Sequence, residues 1–250
     1  MAEPIIRFEH VCRSYGGQKV LTDFCAGIER GEFVTIIGRS GCGKTTALKL
    51  VNGLISPDSG RVVVQGKDVA ETDVVALRRR IGYAIQSVAL FPHMTVEKNI
   101  AYVPSISGLE GWKGEQRRVK AAALLERVGL SPDLAGRYPR SLSGGQRQRV
   151  GIARALAADP DILLMDEPFG AVDEITRGQL QEEILKIHRH SGITILFVTH
   201  DIAEALRLGT RVLVMDGGRA QQFAPPEEIL RHPATELVSR LVEQRRISGL

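Results

Sequence analysis

Residues 33–54 place three elements in succession that few folds can hold together. Phe33-Val34-Thr35-Ile36-Ile37 is short, β-branched and apolar throughout, the pattern of a strand buried on both faces. Gly38-Arg39-Ser40-Gly41-Cys42-Gly43-Lys44-Thr45 follows, and then a helical repeat in which Ala47, Leu50, Val51 and Leu54 recur at 0, 3, 4 and 7. The octapeptide fits G-x-x-x-x-G-K-[ST] in the strand–loop–helix setting that this motif needs. Its four fixed positions would co-occur by accident in roughly one such sequence in a hundred, so the setting decides against a mere glycine-rich turn. The glycines give clearance, because backbone N–H groups must close round phosphate oxygens with no β-carbon in the way. The helix that follows aims its N-terminal partial charge at the same anion. Lys44 is placed to reach the β- and γ-phosphates and the Thr45 hydroxyl to ligate Mg²⁺, with Thr46 completing the phosphate-binding set.

Elsewhere the chain alternates strands and helices. Ile162–Met165, Ile193–Val198 and Arg211–Met215 are apolar strand runs, Leu180, Ile184 and Ile187 share a helical face, and Asp216-Gly217 reads as a hairpin turn. That alternation predicts an α/β core with a parallel sheet. Near the N-terminus, Ile6, Phe8 and His10 are expected on one face of a strand. Residues 91–158 change character: they read as helical, with Ala121, Leu124, Leu125 and Val128 at 0, 3, 4 and 7 and Gly129 closing the helix. From Pro226 onward the sequence reads as polar helices that pack on the outside or dangle.

Composition narrows the class. Hydrophobic residues make up 43% and charged residues 25%, which excludes a disordered chain. No run approaches the ~18–20 apolar residues of a membrane span, and the start lacks the charge pattern of a secretory leader. Cys12, Cys25 and Cys42 are odd in number and lack metal-ligand spacing, so a disulfide framework is not expected and a reducing cytosol fits. Thirty-three basic against 29 acidic residues give +4, too weak a surplus to argue for nucleic acid. Arg78-Arg79-Arg80 could face anionic lipid, though a solvated helix face explains it more simply.

Two further motifs carry chemistry. Asp166 and Glu167 close the apolar strand Ile162-Leu163-Leu164-Met165, and adjacent side chains on a strand point to opposite sides. One carboxylate, Asp166, can then serve Mg²⁺ while Glu167 polarises an attacking water as general base. Alone, the pair could be a strand whose acidic end caps the next helix. Leu142-Ser143-Gly144-Gly145-Gln146 introduces a helix from Gln146 to about Ala157, with Ser143 as N-cap. This start is also a second anion site, remote in sequence from the first, which suits a phosphate presented by another subunit.

A P-loop, then Leu-Ser-Gly-Gly-Gln, then Leu-Leu-Met-Asp-Glu-Pro, then a histidine after a later strand together resemble the ATPase subunit of ABC transporters. The resemblance covers nearly the whole chain. It implies an α/β P-loop NTPase with a RecA-like core and antiparallel β subdomain (1–90 and 159–225), an inserted helical subdomain (91–158) and a C-terminal helical tail (226–250). ATP and Mg²⁺ are the implied cofactors. By the same resemblance Tyr15 stacks on adenine, Gln86 touches Mg²⁺ or the attacking water, and His200 contacts the γ-phosphate. Asp173 matches the D-loop, although Gly170-Ala171-Val172 departs from the family's usual Ser-Ala-Leu. Lys44, Gln86, Glu167 and His200 form the implied catalytic set. A head-to-tail dimer is implied in which ATP lies between one copy's P-loop and the partner copy's signature segment, the segment that Ser143, Gly144, Gly145 and Gln146 form in this sequence.

The family's membrane-spanning permease subunits must then be separate polypeptides, with a solute-binding protein or domain acting through them. The chain would sit peripherally on the cytoplasmic side of a bacterial cell membrane. Leu90, Phe91, Pro92, His93 and Met94 offer either a docking surface for a permease or a cover for the subdomain junction. The segments around Gln86, Asp173 and His200 look most like the importers of quaternary-ammonium solutes such as glycine betaine, carnitine and choline. ATPase subunits for other solutes or for lipid trafficking remain the alternative. The chain ends at Leu250, too soon for the paired C-terminal regulatory CBS domains that many of that group carry. Family members that act on DNA or ribosomes usually have two cassettes or a long coiled coil. Here Lys44 and Ser143 are 99 residues apart with no heptad tract between them. A binding-only regulator would be expected to lack Lys44 or Glu167.

Overall fold

The computed structural model describes residues 3–85, 89–170 and 172–247. It divides into two compact units, one made of Met1–Arg78 with Thr194–Leu250 and the other of Arg79–Ile193.

The first unit opens with β1 (Ile6–Tyr15) and β2 (Gln18–Ile28), an antiparallel pair turned at Gly16 and Gly17. The ladder is irregular, with register shifts at Phe8/Val11 and Val11/Arg13. A bulge at His10, where φ is +50°, breaks the two-residue alternation. Val11 therefore takes the buried position and His10 turns outward, which corrects the expectation that His10 shares a face with Ile6 and Phe8. The buried strand β3 (Phe33–Gly38) leads through the glycine loop into α1 (Lys44–Val51). That helix stops short of Leu54, which is exposed. Gly53, at φ +59°, closes it with the paired bonds Gly53 N–H to Leu50 O and Leu54 N–H to Lys49 O. Two further strands, β4 (Ser59–Val64) and β5 (Lys67–Asp68), complete an antiparallel sheet in the order β2-β1-β4-β5. The short helix α2 (Val74–Arg79) follows, and its Arg78 guanidinium donates to the carbonyls of Asn52 and Gly53 beyond α1.

The second unit begins with β6 (Ile81–Ala84) and passes through α3 (Val96–Ile100), α4 (Tyr102–Ile106), α5 (Gly114–Arg127) and α6 (Gly144–Leu156). Gly129, at φ +67°, closes α5 with bonds from Gly129 to Glu126 and from Leu130 to Leu125, as the sequence implied. Fully buried Asn99 ties down the preceding loop. Its side-chain amide donates to the carbonyls of Phe91, Met94 and Thr95, and its oxygen accepts from the Phe91 amide. The strand β7 (Ile162–Asp166) pairs in parallel with β6, and α7 (Glu174–Ser191) buries Leu180, Ile184 and Ile187.

The chain returns to the first unit with β8 (Thr194–Val198), α8 (Ile202–Leu208), β9 (Arg211–Asp216) and β10 (Arg219–Ala224). Strand β3 lies between β8 and β9, parallel to both, and β10 returns antiparallel to β9 through Gly217 and Gly218. Two last helices, α9 (Pro226–Arg231) and α10 (Glu236–Ile247), dock by Ile229, Val238 and Val242 onto Ile37, Ala205, Val212 and Val214. The fold is α/β, with an antiparallel sheet and an inserted run of helices, as the sequence implied.

Candidate functional site

In the first unit the site is organised by the parallel strands. Pairing of Ile36 with Val198, and of Ile37 with Val214, brings the carboxyl ends of β3, β8 and β9 to one sheet edge. Ligands of open parallel sheets bind at that edge. Strand β3 delivers the glycine loop there, and β8 delivers Thr199 and His200. The Thr199 amide donates to Ile36 O at 3.1 Å. Asp201 receives the amides of Ala203 and Glu204 and gives its own to Thr199 Oγ1, so the turn that carries exposed His200 is held on both sides.

The glycine loop needs its glycines for different reasons. At Gly38 a β-carbon would lie 2.1 Å from Met215 O, too close for the neighbouring strand. Gly43 has φ +105°, and a β-carbon there would meet Leu21 Cδ2 at 2.6 Å and Val20 O at 2.8 Å. As the N-cap of α1, Gly43 offers no side chain to the first-turn amides of that helix. A helix start left in that state holds donors and partial positive charge for an anion. Lys44 is 8% exposed, and its Nζ donates to Gly38 O at 2.7 Å and Arg39 O at 3.0 Å. Its third contact is the Cys42 thiol at 4.0 Å. A buried ammonium beside neutral carbonyls and a thiol is poorly compensated, and a phosphate oxygen would supply the missing charge. Arg39, Ser40 and Gly41 are exposed along the loop, Thr45 is part-buried, and Thr46 is buried. Burial pushes the Cys42 thiol above its ordinary value, against the opposing effect of the Lys44 ammonium. Tyr15, 43% exposed, ends β1 with the Arg13 guanidinium 4.9 Å from its ring centre.

In the second unit β7 ends in buried Asp166, followed by Glu167. Glu167 adopts φ +44°, a left-handed conformation that costs a non-glycine residue about 1 kcal/mol or more. Strain of this kind persists where the surroundings hold a side chain in one direction. Burial first, and the Asp166 charge second, push the Tyr83 phenol above its ordinary range. Ser143 caps α6 with its Oγ, which accepts the Gln146 amide at 3.2 Å, and Gln146 Oε1 accepts the Ser143 amide at 2.9 Å. This reciprocal box starts the helix at Gly144, two residues earlier than the sequence reading, and the S-x-x-Q spacing that signals it was there to be read. Gly144 and Gly145 stand part-exposed inside it. Asp173 caps α7, and the Thr176 amide it accepts at 3.0 Å holds its carboxyl below the usual range.

The structure thus brings Lys44, Thr45, the loop glycines and His200 to one edge of the first unit. Asp166, Glu167, Ser143 to Gln146 and Asp173 lie in the second unit. Gln86 lies outside the described residues. Sequence reasoning missed the left-handed Glu167, the Thr199–Asp201 clamp and the reciprocal role of Gln146.

The sequence pattern described as "ABC transporter" matches residues 21–170. The chain is 48% identical over 244 residues to the glycine betaine/carnitine/choline transport ATP-binding protein OpuCA of Bacillus subtilis (strain 168), covering 97% of this chain and 63% of that protein. It is 48% identical over 234 residues to the glycine betaine uptake system ATP-binding protein YehX of Escherichia coli (strain K12), covering 94% of this chain and 75% of YehX. Among solved structures, the ATP-binding cassette MJ0796, a dimer in a post-hydrolysis state bound to ADP and Pi, superposes with a TM-score of 0.82 at 32% identity over 88% of this chain and 98% of that one. With the glycine loop, the strained carboxylate and the capped signature helix in place, this chain belongs to the ABC transporter family.

Proposed function

We propose that this chain is the ATP-hydrolysing subunit of a bacterial ABC importer for a quaternary-ammonium, betaine-type solute. The observation that carries the nucleotide reading is Lys44, a buried cation resting on the carbonyls of its own loop at a helix start without a side-chain cap. The solute class rests on the relatives, whose printed names are betaine, carnitine and choline systems.

The residues divide the work as follows. The loop amides and Lys44 bind the phosphates, with Thr46 in the first turn. Thr45 and Asp166 are oxygen donors suited to Mg²⁺, and Gln86 is assigned to it by family position. Bound Mg²⁺ neutralises charge on the phosphate oxygens. Tyr15 offers its face to adenine, Glu167 accepts the proton of the attacking water and His200 donates toward the γ-phosphate. In a head-to-tail pair of copies, the Ser143–Gln146 helix start and Asp173 serve nucleotide held by the partner copy. Closure of the pair then follows ATP, which binds the closed form better than the open one. Separate permease subunits carry the solute, delivered by a solute-binding protein or domain, and this subunit sits peripherally on the cytoplasmic side of the membrane. No helix among the described residues is long and apolar enough to cross a membrane.

The test is MgATP hydrolysis and light scattering on the wild type and Glu167→Gln. General-base loss should slow hydrolysis by about a hundredfold or more and leave an ATP-bound dimer. Hydrolysis at the wild-type rate would remove Glu167 from the role. The tagged variant, used with MgATP on native membranes, should capture a permease whose solute-binding partner lines its pocket with several Trp or Tyr faces, as a quaternary ammonium requires. A permease without such a cage leaves the ATPase reading standing and sinks the solute.

A further inference from the structure

On the outer face of the first unit, far in sequence from the glycine loop, β1 and β2 carry three side chains whose donor atoms converge. His10 Nδ1 lies 2.7 Å from Asp23 Oδ1 and 3.8 Å from Cys25 Sγ. All three donor atoms lie within 4.8 Å of one another, and all three residues are exposed. The backbone is bent to allow this. His10 at φ +50° and Asp23 at φ +51° are both left-handed, at the places where the β1–β2 register breaks. The His10 amide donates to Cys25 Sγ at 3.2 Å and so fixes the thiol beside the ring. A shallow depression of about 520 Å³, with His10, Cys25 and Ala26 among its walls, opens beside them.

We propose that His10, Asp23 and Cys25 form a binding site for a thiophilic divalent cation of the Zn²⁺ class, with the fourth position open to solvent. Three arguments carry it. The donors are an imidazole, a carboxylate and a thiol, a set that suits Zn²⁺ and is foreign to Mg²⁺ or Ca²⁺, which take oxygen ligands. The spacing fits as well. Tetrahedral Zn²⁺ with ordinary Zn–N and Zn–S bonds holds N and S about 3.6 Å apart, against 3.8 Å here. The 2.7 Å contact is the hydrogen bond that the ion replaces, and Asp23 Oδ1 must draw back from Nδ1 by about 0.7 Å to reach the N–O separation of tetrahedral Zn²⁺. Last, one ring nitrogen, Nδ1, faces both partners. A nucleophilic triad would use the two ring nitrogens separately, one toward each partner, whereas convergence on Nδ1 is what coordination requires. The three donors converge from two paired strands, His10 from β1 and Asp23 and Cys25 from β2.

The test is a Co²⁺ titration of the full chain, reduced and free of nucleotide and Mg²⁺. One equivalent should give a thiolate-to-cobalt band in the near ultraviolet, displaced by Zn²⁺. Cys25→Ser should abolish the band, and His10→Ala and Asp23→Asn should each weaken binding by at least about tenfold. Cys42→Ser and Cys12→Ser should keep it, Cys12 being the next thiol along, whose Sγ accepts the Asp23 amide at 3.3 Å. His10, Asp23 and Cys25 are exposed, whereas Cys12 is half-buried and Cys42 buried, and far-ultraviolet circular dichroism checks that each variant folds. No band, a band that survives Cys25→Ser, or a band lost with Cys42→Ser or Cys12→Ser overturns the proposal.

Discussion

Replacing Lys44 by Met separates what the loop does without nucleotide from what it does with it. In the nucleotide-free chain, Met removes an ammonium that is 8% exposed and bonded to two carbonyls at 2.7 and 3.0 Å. Each carbonyl left unpaired costs about 1–3 kcal/mol. Against that, the desolvation cost of the buried cation, several kcal/mol, disappears. The two effects largely cancel, so the melting temperature without nucleotide should change by no more than a few degrees. With nucleotide the balance is one-sided. Wild-type chain in MgADP at 100 times its Kd gains about 2.7 kcal/mol. For a domain of this size that is about 5–10 °C. Loss of charge-assisted bonds to phosphate, about 1.5–3 kcal/mol, weakens binding roughly 10- to 150-fold. At the same MgADP concentration the variant then gains about 0.3–1.4 kcal/mol, a shift of about 1–6 °C. Scanning calorimetry with and without MgADP measures both numbers. A variant that keeps the full shift would refute the assignment of Lys44 to phosphate. One that falls by ten degrees without nucleotide would refute the view that its two carbonyl bonds are nearly neutral for stability.

The docking of the tail makes Ile229 a core residue, so Ile229→Ala should cost about 2–5 kcal/mol, read as a lower urea midpoint. The Tyr83 phenol, held up first by burial and then by the Asp166 charge, should stay protonated through the pH range in which ordinary tyrosines ionise. Tyr83→Phe should therefore leave the 295 nm titration in the ordinary tyrosine range unchanged, and Asp166→Asn should lower the Tyr83 midpoint without restoring its ordinary value, because burial, the larger cause, remains. Asp173 has its folded pKa depressed by the Thr176 amide, so its capping contribution is present above 3.8 and lost as pH falls through the folded value. Exchange of the Thr176 amide should accelerate over that acid range, and Asp173→Asn should remove the acceleration.

What the sequence determined by itself is short-range. The strand, loop and helix around Lys44 are legible because the spacing of glycine, lysine and threonine is set within one turn of chain by the clearance a phosphate needs. The acidic end of β7 is legible as a run of adjacent residues, and the cap at Ser143 and the glycine closing α5 are legible because each is a bond between residues no more than five apart. Tertiary structure alone decided the rest. His200 joins the glycine loop because β8 pairs in register with β3, a contact across some 160 residues that no local spacing encodes. Polar-looking α10 packs because Val238 and Val242 find Ile37 and Val212, partners the helix cannot announce. The turn of His10 away from Phe8 and toward Asp23 and Cys25 comes from two bulges in one ladder. A shift of one residue in pairing register exchanges the two faces of a strand, and register is a property of two strands together.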